Sequence, residues 1–244
     1  MKITESVYIV SGANYDVLGN VYAIRGEKGV ALIDCGEKDA YEVIEASLAR
    51  WGMGDLPVTH VFLTHGHMDH AASAAYFRKK GAKIAVHEGD AHFLTDGGFP
   101  ADTTPYAEDW IFPSCTPDIV FSGKEVLQFE DFRLTAYPLP GHTDGSTFYE
   151  MEDIRERTEE GPGRTVLFTG DTFYFDRETE DEDHVILCWK GSPDYDPVKL
   201  GKSFEFAYRN FYPDVILSGH GMPLLANGNA VIRAAARKFL REYR

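Results

Sequence analysis

Residues 64–70 read Thr-His-Gly-His-Met-Asp-His, which puts four metal-ligand side chains into six consecutive positions. This segment constrains the chain more than any other. It follows the apolar run Val61-Phe62-Leu63 and leads into an alanine-rich stretch with helical spacing. His65 and His67 are two apart, so in extended backbone their side chains point the same way. Gly66 between them lets the backbone approach a neighbour closely. Asp69 and His70 then turn inward where the helix starts. Taken alone, any one histidine is better read as a structural or surface residue. Four ligand types at the end of one strand read instead as a metal cluster.

Three more ligand-type residues stand at later strand ends. His142 lies in Leu139-Pro140-Gly141-His142-Thr143, Asp171 in Thr169-Gly170-Asp171-Thr172, and His220 in Ser218-Gly219-His220-Gly221. Each follows an apolar run and each has a glycine immediately before it. That arrangement puts polar donors on loops at one edge of the sheets. Of nine histidines, five fall into this pattern. His60, His87, His92 and His184 do not, and are read as structural or, for His184 within an acidic run, as solvated. Neutral imidazole and carboxylate suit zinc, and also iron or manganese.

The rest of the chain supplies a scaffold of matching type. Short β-rich runs at 7–10, 20–24 and 30–34 are punctuated by glycines, and residues 38–51 switch to helical spacing. Strand patterns recur at 58–63, 83–87, 125–128, 132–138, 147–151, 165–169 and 215–218. Helical patterns recur at 70–80, 196–210 and 228–243, and the charged stretch 152–164 reads as an exposed hairpin loop. Strand-rich blocks each followed by helices predict an α/β chain with two sheets and helices outside. Residues 88–124 stand apart. After a short helix they carry Pro100, Pro105, Pro113 and Pro117 among Phe99, Tyr106, Trp110 and Phe112. A long aromatic connection of this kind is expected to be functional, and residues 97–117 are read as a lid over the site within one domain spanning 1–244.

Charge and composition narrow the partners. The formal net charge is −15, a field that repels phosphate backbones, so no nucleic-acid partner is expected. No apolar run approaches the ~20 residues that span a bilayer, and the first residues carry no leader pattern. No membrane partner is therefore expected. Cys35, Cys115 and Cys188 are odd in number and widely spaced, which fits a reducing cytoplasm and free thiols. A small-molecule substrate is the expected partner, with a homo-oligomer left open.

The ordered set HxHxDH, GHT, GD and SGHG, running from His65 to His220, resembles the metallo-β-lactamase fold superfamily in its glyoxalase-II-like and lactonase-like branches. The resemblance implies a four-layer αββα sandwich. It implies two divalent metal ions, zinc with iron or manganese as alternatives. His65, His67 and His142 would hold the first, Asp69, His70 and His220 the second, and Asp171 would bridge them. It also implies a hydrolase that uses a metal-bound hydroxide on a small ester, thioester or lactone, with Asp69 and Asp171 in the catalytic centre. Tyr174, three residues after Asp171, would contact the substrate carbonyl, and Asp34 would support the ligand loop by hydrogen bonding. The pattern departs from the family in two places. GHTDG, with Asp144, replaces GHTPG, and the 24 residues after His220 leave no room for the glutathione-binding helical domain of glyoxalase II. The runner-up is a mononuclear iron dioxygenase acting on persulfides. A phosphodiesterase or ribonuclease is disfavoured by the charge, and a non-catalytic partner protein by the complete ligand set. Metal content separates the two leading readings.

Overall fold

The computed structural model describes residues 1–12, 19–99, 110–156, 163–175 and 184–243. Three strands open the first sheet as an antiparallel meander: β1 (Val7–Ser11), β2 (Val21–Arg25) and β3 (Val30–Ile33). β4 (Val58–Phe62), β5 (Lys83–His87) and β6 (Ile119–Phe121) then add in parallel, giving the order β1-β2-β3-β4-β5-β6. Parallel neighbours need crossovers. These carry α1 (Ala40–Arg50), then α2 (Met68–Ala71) with α3 (Ala74–Lys79), then α4 (Ala91–Asp96). The second sheet contains β7 (Glu125–Gln128), β8 (Phe132–Pro138), β9 (Thr147–Asp153), β10 (Thr165–Gly170) and β13 (Val215–Ser218), ordered β13-β10-β9-β8-β7. Two short strands, β11 (Phe173–Phe175) and β12 (Val185–Leu187), pair separately. Helices α5 (Pro197–Asn210) and α6 (Gly228–Glu242) complete the chain.

Alternation along the strands builds three apolar interfaces from these elements. Val7 and Ile9 of β1, Phe62 of β4, Tyr149 of β9 and Phe168 of β10 meet between the two sheets. Tyr8 and Val10 of β1 and Val61 of β4 point the other way, against Ile44 and Leu48 of α1 and Phe77 of α3. Phe148 of β9 and Leu167 of β10 likewise face Phe204 of α5 and Ile232 of α6. The result is the αββα sandwich. Strands covered on both faces read as continuous apolar runs, and their side chains each contribute about 1.5–3 kcal/mol when fully buried. Asp196 starts α5 by accepting from Val198 N and Lys199 N at 2.8 and 3.0 Å, with Pro197 in the first helical turn.

Several local expectations change. The helix read at 70–80 is two short helices, α2 and α3, broken at Ala72-Ser73. β6, β11 and β12 have three residues each, too short to carry a period, and the sequence pattern did not resolve them. β6 falls inside the stretch read as a loop. The hairpin at 152–164 is partly strand and 3-10 turn, since β9 runs to Asp153 and a turn covers Ile154–Glu156. Residues 157–162 of that hairpin, and 100–109 of the expected lid with Pro100, Pro105 and Tyr106, lie outside the described residues. Among the described residues the three cysteines are free, and no helix is long and apolar enough to cross a membrane.

Candidate metal centre

β4, β8, β10 and β13 end toward one edge of the sandwich, and the loops leaving them carry the ligand-type residues. The glycines that precede those residues have a steric cause. Gly219 lies so close to the Asp171 carboxylate and the His70 ring that any Cβ would collide with both. Gly141 has φ +144° and is pressed against the backbone of Leu200. Only glycine fits such contacts without strain.

All seven side chains converge and fall into two groups. His65, His67 and His142 are buried together, with ring centroids 4.7–4.8 Å apart. His67 Nδ1 and His142 Nε2 face each other at 3.1 Å. Asp69, His70, Asp171 and His220 form the second group. His220 Nε2 lies 3.1 Å from both Asp69 Oδ2 and Asp171 Oδ2, and His70 Nε2 lies 3.2 Å from Asp171 Oδ1. Asp171 Oδ2 is also 3.7 Å from His142 Nε2, so this carboxylate reaches both groups. Within each group the ligand atoms lie within 4.8 Å of one another.

This donor set fits metal ions. Ligand atoms around a tetrahedral zinc, bonded at about 2.0–2.1 Å, sit about 3.3 Å from each other, close to the 3.1 Å between His67 and His142 and the 3.1–3.4 Å separations within the second group. His65 Nε2 is buried with no hydrogen-bond partner among the described residues, and a buried nitrogen left in that state points to an ion as partner. The two groups differ electrostatically. Burial and the neighbouring His67 push His142 down to about 4, and burial pushes His65 well below its ordinary range. These imidazoles are neutral donors at pH 7. For His220 burial acts downward, yet the Asp171 and Asp69 carboxylates outweigh it and raise the group to about 10. Asp69 and Asp171 are both held below the carboxylate range, since the adjacent His70 and His220 outweigh burial.

Outer contacts fix the rings. Asp34, at 2% exposure and with φ +60°, accepts from Thr64 N and Thr64 Oγ1 and lies 3.0 Å from His70 Nδ1. Its placement matches the supporting role expected for it. Three residues had no such signal in the sequence. Asp90 is fully buried and accepts from Gly66 N, Gly145 N and Thr143 Oγ1 at 2.7–2.8 Å, tying the His65–His67 loop to the His142 loop. Ser192 Oγ lies 3.2 Å from His67 Nε2, and Asp194 lies beside both. None sits in a recognisable motif, and each is distant in sequence from the loop or ring it holds. The remaining histidines have structural surroundings. His60 stacks on Phe62 and His92 packs on Phe93, while His87 Nδ1 accepts from Gly89 N. His184, expected in solvent, is half-buried.

A cavity of about 540 Å³ opens above these groups. Tyr174 lines it, half-buried, with its ring 5.7 Å from that of His220. Trp110 lines it too, whereas Phe99 and Phe112, also expected to face it, are packed into the helix-side core of the first sheet.

The family model of the metallo-beta-lactamase superfamily matches residues 14–155, which hold five of the seven side chains. The chain belongs to this superfamily. Asp171 and His220 lie beyond the matched segment, 3.1 Å apart in the second group. A hydroxyacylglutathione hydrolase from Anaeromyxobacter dehalogenans (strain 2CP-C) is 27% identical over 187 residues, 75% of this chain and 53% of the relative. The uncharacterized protein YobT of Bacillus subtilis (strain 168) is 30% identical over 165 residues, 63% of this chain and 61% of the relative. The chain thus spans 53% and 61% of the length of these two relatives. A subclass B3 metallo-beta-lactamase of Bradyrhizobium japonicum superposes with TM-score 0.76 at 23% identity, covering 100% of this chain and 91% of that one. A metallo-beta-lactamase from Novosphingobium pentaromativorans gives 0.75 at 18%, covering 99% and 88%. At these identities the likeness is one of fold.

Proposed function

We propose that this protein is a binuclear metal-dependent hydrolase of small esters, thioesters or lactones. The observation that carries the reading is Asp171, whose carboxylate lies between a three-histidine group and a second His/Asp group at the floor of one cavity. In this reading His65, His67 and His142 hold one divalent ion. Asp69, His70 and His220 hold the other, and Asp171 neutralises both. Such ions polarise a carbonyl and lower the pKa of bound water toward 7.

The chain's own residues do the rest. Asp69 stays ionised and holds a carboxylate oxygen at the cavity floor, 3.1 Å from His220 Nε2. Tyr174 is kept protonated, because burial and the Asp171 charge both push its phenol upward. It can therefore donate to a carbonyl oxygen on which charge develops. Trp110, the described aromatic nearest the middle of the expected lid, lines the cavity. Metal analysis of the purified protein, with ester, thioester, lactone and phosphodiester substrates assayed on the same sample, tests the proposal. Two ions per chain and turnover of a carboxylic ester or its relatives is the expected result. One iron per chain with oxygen consumption on persulfides would replace it by the dioxygenase reading, and turnover confined to phosphodiesters would replace it by the nuclease reading.

A further inference from the structure

The cavity divides chemically into a floor and a wall. The floor is made by candidate ligands. The wall is made by Met68, Trp110, Tyr174, Ile186 and Trp189. Those five come from α2, the 97–117 connection, β11, β12 and the segment after it, so only the tertiary fold assembles them. Trp110 and Trp189 meet edge to face, with centroids 5.8 Å apart and planes at 78°. Trp110 also packs on Phe99 at 4.8 Å, and Phe99 lies 5.4 Å from the His67 ring. The aromatic wall is therefore braced against the metal-ligand loop. Even so, Trp189 keeps 47% of its surface exposed. A large aromatic held in place beside a cavity, yet not covered by the fold, is available to a ligand. Among the described lining residues, every charged side chain belongs to the floor.

We infer that the part of the substrate attached to its reacting carbonyl is uncharged and apolar, an aryl group or a medium-length alkyl chain. It lies against Trp110, Trp189 and Ile186. This rests on the hydrolase reading and names its substrate class. A cavity of this size accommodates a small organic molecule, oriented by a few polar groups and otherwise held by apolar contact. An alkyl chain laid along this wall gains about fourfold in binding per buried methylene. A carboxylate placed there would exchange water for aromatic and aliphatic carbon, and that is unfavourable without a partner. The net charge of −15 also lowers the local concentration of anions. Both effects act against carboxylate-bearing β-lactams and against thioesters of an anionic tripeptide such as glutathione.

Three p-nitrophenyl esters assayed on the metal-loaded protein isolate this property: the acetate, the octanoate, and the monoester of octanedioic acid, which has the octanoate chain ending in a carboxylate. We expect kcat/KM at least tenfold higher for the octanoate than for the acetate, and at least tenfold lower for the carboxylated chain than for the octanoate. Trp189→Ala should flatten the chain-length dependence through KM, with metal content unchanged. Binding of neutral N-phenyl-1-naphthylamine, followed by fluorescence, reads the same wall without turnover. One site per chain, displaced by octanamide and weakened at least fivefold in Trp189→Ala, is expected. The inference is overturned if the carboxylated chain matches the octanoate, or if the naphthylamine fails to bind or binds the variant equally well. Failure of all esters with normal naphthylamine binding would sink the hydrolase reading and leave the apolar site standing, so the two failures are distinguishable.

Discussion

The Asp34 carboxylate lies 3.0 Å from His70 Nδ1, on a residue whose own φ is +60°. Left-handed backbone is uncommon outside glycine, although aspartate tolerates it better than most residues. It turns the side chain from the end of β3 toward the ligand loop. There it fixes which His70 nitrogen carries the proton and frees Nε2 for the second group. Loss of such a partner usually costs 10–100-fold in metal affinity. Asp34→Asn should therefore lower affinity at the second group by that order while the three-histidine group keeps its ion. Competition with a chromophoric chelator measures both, and an unchanged pair of affinities would remove Asp34 from this role.

Asp90 has the corresponding part at the first group. Its two oxygens hold Gly66 and Gly145, and hence the spacing of His65 and His67 from His142. Asp90→Ala strips three buried donors of their acceptor, at about 1–3 kcal/mol for each donor left unsatisfied. The expected result is a lower melting temperature together with weakened cobalt binding at the three-histidine group, seen as an altered d–d spectrum. A lowered melting temperature with an unchanged cobalt spectrum would make Asp90 a fold-stabilising residue only.

Asp171→Ala should abolish turnover and loosen both ions, because one carboxylate contacts both groups. Elemental analysis after dialysis is the check. Retention of two ions and near-normal rate would show that Asp171 does not bridge.

A pH effect is expected away from the site. Asp118 accepts from Ile84 N at 3.1 Å and from Arg78 Nε and Nη2 at 3.1 and 3.2 Å, joining α3 to β5 just before β6. Burial acts upward on its carboxyl, but the Ile84 amide and the Arg78 guanidinium more than offset it, and the group is lowered. A lowered carboxyl contributes stability above its unfolded value near 4, and that contribution disappears as pH falls through the folded value. Asp118→Ala should cost about 1 kcal/mol or less at pH 7, since the pair is partly exposed, and the difference from the parent should shrink toward pH 2–3. Urea denaturation at both pH values tests the sign. A cost that grows on acidification would contradict it.

The candidate ligands were legible from the chain because each carries a local signature. His65 and His67 share a face by strand alternation, Asp69 and His70 follow at the helix start, and Gly141, Gly170 and Gly219 mark the tight turns before the other three residues. Apolar runs of five to seven residues announced the central strands of both sheets for the same reason. Three-residue strands such as β6 and β11 carry no such period, because the hydrogen bonds of a neighbouring strand hold them. Asp90, Ser192 and Asp194 lie 23 to 127 residues from His67, the candidate ligand whose loop or ring they hold, and a lone carboxylate or hydroxyl has no local signature. The wall formed by Met68, Trp110, Tyr174, Ile186 and Trp189 depends on segments that meet only after both sheets have packed. Local spacing thus determined which side chains could bind metal, while long-range packing decided what orients them and what the cavity above them is lined with.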